Sequence, residues 1–457
     1  MKTKAAWGRI LSLALILNAI LIILIDLKCN SPTSPPPPSQ EKPKAVKLKL
    51  LDISCTEAFI NITANDTVLP VNITLNKDDA ALFNFTLTKT DTTVIDTALQ
   101  PGKSYIYQTI AEIKGETEES DTLQVKALEL TSNNYIWQKY AFGNGASSIL
   151  YDVAIIDGNN IWCVGEINVN DSSRNGFTTY NAVHWNGSEW ELKKITVNFR
   201  GNNITPSLQG IFCFSKSQIW IVGGLAIYGD GNNWIPYDVR KITGYDSLSF
   251  TKCWGNNPDD MYFSGLKGSL THYQNRQWSK IESETDFNIL DIWGDKNPFT
   301  NKEEIICVLG KGLDQPGPWS DIIRINEDFS TEKLDITGLG QIYGSVWFKA
   351  GIKYYIVGDG LYEKSFKDTL KWVDLNNNRK ITSYYMSCIR GNSLNDIIVV
   401  GAYGEFLHYN GSNWESLKEQ TSITNGTYYR VAIKGNIVIA VGQDQNQGII
   451  LIGHHLE

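Results

Sequence analysis

Three histidines stand at one fixed offset. His184, His272 and His408 each precede a tryptophan by six residues: Trp190, Trp278 and Trp414. A catalytic histidine acts from a single place, so a histidine repeated in register reads as a packing residue. His454 and His455 lie at the end of the sequence and read as solvated. No histidine is left to serve as a lone general base. The seven cysteines, Cys29, Cys55, Cys163, Cys213, Cys253, Cys307 and Cys388, contain no C-x-x-C pair. Zinc and thioredoxin-type readings therefore fail. Cys213, Cys253 and Cys388 fall in the strand position where Ala154 and Ala432 stand in other copies of a repeat. Together with Cys163 and Cys307 they read as small buried fillers rather than a disulfide framework.

The remaining chemistry lies in aromatic, arginine and acidic residues that the repeat would place in loops. Two loops are long. One, Glu166–Tyr180, contains Arg174, and the other, Lys311–Asp321, contains Asp314 and Trp319. Tyr384, Tyr385, Tyr403, Tyr428, Tyr429 and Arg430 are expected on the same face. Of these, Arg174, Asp314, Trp319, Tyr385, Tyr403, Tyr429 and Arg430 are the candidate ligand-binding residues, because aromatic faces beside one or two charges suit a glycan or a peptide. No nucleophile elbow, H-E-x-x-H, Walker loop or dinucleotide fingerprint occurs. Asp374-Leu-Asn-Asn-Asn378 lacks the glycine and closing glutamate of a calcium loop. No cofactor, metal ligand or catalytic residue is assigned.

The elements that must hold these residues follow from a repeat. An apolar residue followed by glycine recurs at Val164-Gly165, Val222-Gly223, Ser264-Gly265, Leu309-Gly310, Val357-Gly358, Val400-Gly401 and Val441-Gly442, with serine in place of the apolar residue in one copy. Each ends a short apolar strand, with another strand before it and a third strand, a turn and usually a Trp after it. Asn186-Gly187 and Asn410-Gly411 are type I′ hairpin dipeptides. Four short strands per 40–50 residues predict a β-propeller blade, and seven steps predict seven blades. Few residues follow Gly442, and residues 134–141 offer the missing Trp-bearing outer strand. That segment is expected to pair with the last blade and close the ring, removing free edges. The propeller is thus expected over 134–457.

Charge and hydropathy set the surroundings. The chain has 457 residues and a net charge of -8. Residues 1–50 carry eight Lys/Arg against two acids, so the rest carries -14. An acidic body without a basic stripe excludes nucleic acid as a partner. Lys2, Lys4 and Arg9 precede an apolar run from Ile10 to Ile25, the pattern of an export signal or membrane anchor. Residues 1–29 are read as that segment, either cleaved, uncleaved or lipid-anchored at Cys29, and 30–44 as a proline-rich linker. All three outcomes place the body outside the cytoplasm, attached to a membrane or released.

Residues 45–128 differ, being rich in Thr and free of Trp. Their alternating apolar runs predict a small β-sandwich. Leu99-Gln-Pro101-Gly102-Lys-Ser-Tyr105-Ile-Tyr107 resembles the corner of fibronectin type III modules, where a Leu, a Pro and a following Tyr lock a loop. The long repeat resembles secreted bacterial propeller repeats of the form WG…NDVWAVG…HYDG..W. Here that pattern reads Cys253-Trp-Gly-Asn-Asn-Pro-Asp-Asp-Met-Tyr-Phe-Ser-Gly265 and Ile389–Trp414. The layout is similar to exported proteins of Bacteroidetes/Ignavibacteria type, some of which carry a glucosyltransferase label, although no α/β nucleotide-sugar pattern is present. The resemblance implies an all-β, extracytoplasmic binding protein whose propeller funnel takes a glycan or protein ligand. A glycan-acting enzyme using funnel carboxylates and a structural envelope platform are the alternatives.

Overall fold

The computed structural model describes residues 43–456 apart from 174, 313–316, 366–370, 422 and 424, and only the backbone of Asn378. The apolar N-terminal run, Cys29, most of the linker, Arg174 and Asp314 lie outside the described residues.

Residues Val46–Lys126 form two antiparallel sheets. One has Val46–Ile53, Ala58–Ala64 and Asp91–Asp96 in that order. The other joins Ala80–Leu87, Val71–Lys77 and Ser104–Ile113, and the short strands Glu116–Glu119 and Leu123–Lys126 both pair with the last of these. Ser104–Ile113 buries Tyr105, Tyr107, Thr109 and Ala111, every second residue, as a strand with one face on a core must. The Gln100 N–H donates to Tyr105 Oη at 2.8 Å, which ties the Leu99–Lys103 loop to the strand that follows.

Among the described residues, seven four-stranded antiparallel sheets follow. Their first strands are Ile149–Asp157, Gly210–Ser215, Phe250–Asn257, Asn288–Lys296, Tyr343–Lys349, Met386–Ser393 and Thr427–Lys434. These strands touch one another in chain order, and the seventh touches the first. The outer strand of the seventh sheet is Tyr135–Phe142, in register with Gln447–His455. A closed ring of radially stacked four-stranded sheets is a β-propeller.

The ring's core is a set of seams. Among the described residues, seven apolar clusters lie between neighbouring sheets and an eighth fills the N-terminal sandwich. Along one second strand, Ile161 and Cys163 enter one seam while Trp162 and Val164 enter the next. A strand buried on both faces has to be apolar at successive positions, which explains the uninterrupted runs before each glycine.

The glycines have a steric cause. Among the described residues, six first strands carry a β-bulge near their start, leaving Tyr151, Thr251, Leu290, Gly344, Ser387 and Tyr429 unpaired. Beside the bulge the chain presses a carbonyl against the second strand. A Cβ on Gly165, Gly265, Gly358, Gly401 or Gly442 would lie 1.9–2.1 Å from that oxygen. In the fourth sheet Leu309 takes the equivalent place opposite Ile289, and Gly310 lies one residue further on.

The repeated histidines close local clips. His272 Nε2 lies 2.6 Å from Asp260, His184 Nε2 3.0 Å from Asn160 and His408 Nε2 3.1 Å from Asp396. Each partner opens the neighbouring second strand, and His184 and His272 stack on Trp162 and Tyr262. The hairpin tryptophans pack between sheets, as Trp278 does against Trp220 and Trp414 against Tyr355. The cysteines require a correction. Cys213, Cys253 and Cys388 lie on first strands but at three different levels, opposite Ile219, Phe263 and Val400. Only Ala154 and Ala432, opposite Trp162 and Ile439, share a level. All six described cysteines are free thiols.

The sandwich is docked on the ring. Phe59, 1% exposed, joins the apolar cluster between the fifth and sixth sheets that contains Trp347, Ile352 and Tyr355. Lys353 Nζ lies 3.0 Å from Glu57, and the Asn395 amide donates to the Glu129 carbonyl at 2.7 Å. These contacts use turns that follow first strands, on the face opposite the bulges.

Candidate functional site

The bulges place side chains around one mouth of the ring. Tyr151 and Tyr429 are bulge residues, both half-buried, with ring centroids 6.4 Å apart. Tyr385 immediately precedes the sixth first strand and is 37% exposed. Its hydroxyl lies against Gly344, where a Cβ would come within 2.8 Å. Burial pushes the Tyr385 phenol up to about 12, with Arg430 opposing and Asp359 adding. Tyr384 and Tyr403 stand with ring centroids 5.2 Å apart, and Lys418 Nζ sits 3.9 Å above the Tyr384 ring. Tyr403 is 53% exposed and has φ 56°, a conformation uncommon for a residue with a Cβ.

The other expected residues divide. Trp319 is half-buried at the foot of its loop, its carbonyl accepting from the Lys311 N–H at 2.9 Å. The expected loop Glu166–Tyr180 is mostly strand: Ile167–Asn170 pairs with Phe177–Tyr180 to extend the first sheet. Alternation of Ile167 and Val169 with asparagines gives that arm a strand pattern. Tyr428 is buried in the seam between the sixth and seventh sheets. Arg430 is also buried, 5% exposed. It points across the ring, with Nη1 3.3 Å from Asp291 and Nη2 donating to the Leu290 carbonyl at 2.7 Å.

That contact belongs to a charged belt that spacing along the chain did not reveal. The residues just after the bulges are Asp152, Lys252, Asp291, Ser345, Cys388 and Arg430. Asp291 takes a two-pronged bond from Arg390, at 2.9 and 3.0 Å, with Arg430, the Ser345 hydroxyl and the Val346 N–H as further partners. Burial would raise the Asp291 pKa, but the two guanidinium groups hold it well below the usual carboxylate range. Lys252 Nζ donates to the Gln209 carbonyl at 2.9 Å and lies 3.7 Å from Asp152. Burial, then Arg430, lower Lys252 to about 8 against the pull of Asp152 and Asp291. A charged residue recurring just after the bulge, inside otherwise apolar strands, is the signal that aligning the repeats would have exposed.

The belt borders a cavity of about 240 Å³ inside the channel, lined by first strands of six sheets. Its walls include Phe212, Trp254 and Trp293 with Lys252, Arg390 and Asp152. Among the described residues no group of His, Cys, Asp and Glu is arranged to hold a metal ion.

No protein-family model matches the sequence, and no curated protein matches it significantly. Solved structures do. A structure of YCF48 bound to a D1 peptide superposes with a TM-score of 0.53 at 13% identity, covering 72% of this chain and all of that one. YCF48 from Cyanidioschyzon merolae gives 0.50 at 13% identity, covering 70% of this chain and 98% of that one. Identity this low speaks for the fold alone, and by its fold this chain is a β-propeller protein.

Proposed function

We propose that this chain is a non-catalytic binding protein whose bulge-side face takes an extended polypeptide. The observation that carries the reading is the tyrosine group, exposed Tyr385 and Tyr403 beside half-buried Tyr384 with Lys418, on loops held by a rigid ring. Tyrosine offers a large amphipathic contact with little side-chain entropy to lose, and loops on rigid scaffolds commonly carry binding. YCF48, a propeller of similar fold, has been seen with a peptide bound. The channel carboxylates favour binding over catalysis, since Asp291 is held by two arginines and Asp152 faces Lys252. A general acid or base needs a carboxyl group free to exchange a proton with substrate.

The finer reading is a seven-bladed propeller preceded by a fibronectin type III-like module, exported and attached to the membrane through the N-terminal segment. The Tyr105–Gln100 corner bond and the packing of a three-stranded against a five-stranded sheet support the module. Labelling with a radioactive fatty acid tests the anchor: incorporation lost in Cys29→Ser is expected, and no incorporation in the parent removes the lipid.

Peptide and glycan arrays probed with the purified full-length chain test the main reading. Retention of peptides, weakened at least tenfold in Tyr385→Ala/Tyr403→Ala, is expected. Retention of glycans alone overturns it.

A further inference from the structure

The channel has a surplus of donors. Among the described residues, the belt and cavity carry two carboxylates, Asp152 and Asp291, against four cations, Lys252, Arg390, Arg430 and Lys434. This stands in an otherwise acidic protein. Asp291 is spent, its side chain 2% exposed. Lys252 and Arg390 keep 15% and 17% exposure, so the cations retain a free side. Among the described residues, Trp293 Nε1 in the cavity wall is a buried N–H with no hydrogen-bond acceptor, and Arg430 Nη1 has only its 3.3 Å ion-pair contact with Asp291. Buried donors without acceptors are costly, and like charges gathered in a low dielectric repel. Both defects are of one kind, because each would be relieved by an acceptor carrying negative charge.

The walls narrow the ligand further. Ile155, Phe212, Trp254 and Trp293 supply apolar surface beside the cations, and the Arg390 guanidinium already lies over the Trp293 ring at 4.9 Å. A volume of about 240 Å³ is below that of pockets for drug-sized ligands. It suits a group of a few heavy atoms with one charged and one apolar end. A compact inorganic anion would leave the apolar wall unmatched.

We propose that the channel cavity is a carboxylate-binding site, in which Lys252 and Arg390 face the anion and the Trp254–Trp293 wall holds a short apolar tail. The carboxylate could belong to a free branched-chain acid or to the C-terminus of a peptide with an apolar last residue. The site is separate from the tyrosine face and does not depend on it.

Calorimetry on the full-length chain tests this with three probes: isovalerate, the tripeptide Ala-Ala-Leu as free acid, and the same tripeptide as amide. Saturable binding of isovalerate or the free acid, at least tenfold tighter than the amide, is expected. Binding of isovalerate identifies a small acid as sufficient; binding of the free-acid tripeptide alone identifies a peptide terminus. Lys252→Met should weaken binding about tenfold or more and Lys252→Arg should retain most of it. Measured near pH 8 in two buffers of different ionisation heat, binding should take up a fraction of a proton, because an anion favours charged Lys252. The groups facing Lys252 are Asp152, Asp291, Arg430 and Cys388, and Lys252 itself is pushed down to about 8. This readout needs no variant to fold. No saturable binding of either acid, no preference over the amide, or no proton uptake overturns the proposal. Tyr403→Ala should leave isovalerate binding unchanged, which separates this site from the peptide face.

Discussion

Arg390 and Asp291 stand 99 residues apart in sequence and two sheets apart in the ring, yet share a two-pronged ion pair of 2.9 and 3.0 Å across the channel. The pair binds opposing parts of the ring to each other through their innermost strands.

Asp291→Ala should therefore be severe. It leaves Arg390 and Arg430 buried without a counter-charge, a change that costs about 3–5 kcal/mol when one partner of a buried pair is lost. Chemical denaturation should show the loss. Arg390→Met in the same chain should return part of it, because fewer uncompensated charges remain.

Asp291 and Lys252 both predict stability that rises with pH, in two separate windows. Asp291 has a folded pKa below its unfolded value, so its stabilisation is present above about pH 4 and falls away as pH drops below that. Lys252 also has a folded pKa below its unfolded value, at about 8. Between about pH 8 and 10 the unfolded chain holds that proton more firmly, so stability from this group rises with pH. Midpoints of urea unfolding measured from pH 7 to 10 should show a rising contribution in the parent that is missing in Lys252→Met.

Phe59→Ala should undock the sandwich before either part unfolds. Removing a buried phenylalanine costs about 3–5 kcal/mol, and here that side chain bridges two parts of the chain. Limited proteolysis should begin to cut near residues 128–134, and calorimetric melting should split from one transition into two. A single transition with unchanged proteolysis would refute the bridging role of Phe59.

Tyr403→Gly should separate stability from binding. Tyr403 holds a left-handed backbone that glycine adopts without cost. Relief of that strain should leave stability unchanged or improve it by up to about 1 kcal/mol. Peptide retention should fall at the same time. A tyrosine kept at a strained, exposed position fits the trade of stability for function.

The propeller fold was legible because its signals are local. Each apolar run, each Asn-Gly turn and each His-to-Trp spacing sits within one sheet, and the glycine before each third strand answers to a carbonyl a few ångströms away. Tyr385 and Tyr403 were legible as surface residues for the same reason. Arg430 was seen as a loop-face residue, whereas the structure commits it to Asp291, 139 positions earlier in the numbering. Asp152, Lys252 and Asp291 stand out only once the repeats are aligned at the bulges, and Arg390 joins them only through the closed ring. Cys213, Cys253 and Cys388 misled because sharing a first strand does not mean sharing a level: they precede Gly223, Gly265 and Gly401 by 10, 12 and 13 residues and so face Ile219, Phe263 and Val400 at different heights.

The seventh sheet takes strands from both ends of the ring, and Lys139 meets Asp444 across 305 positions. During synthesis the ring must wait with one sheet incomplete until residues 447–455 have left the ribosome. Contacts so distant in sequence make the final step slow, and until then Tyr135–Phe142 is an unpaired edge open to wrong partners. A chain built this way gains from being kept extended and shielded while it is made, and that requirement ties its assembly to whatever machinery handles it before the ring snaps shut.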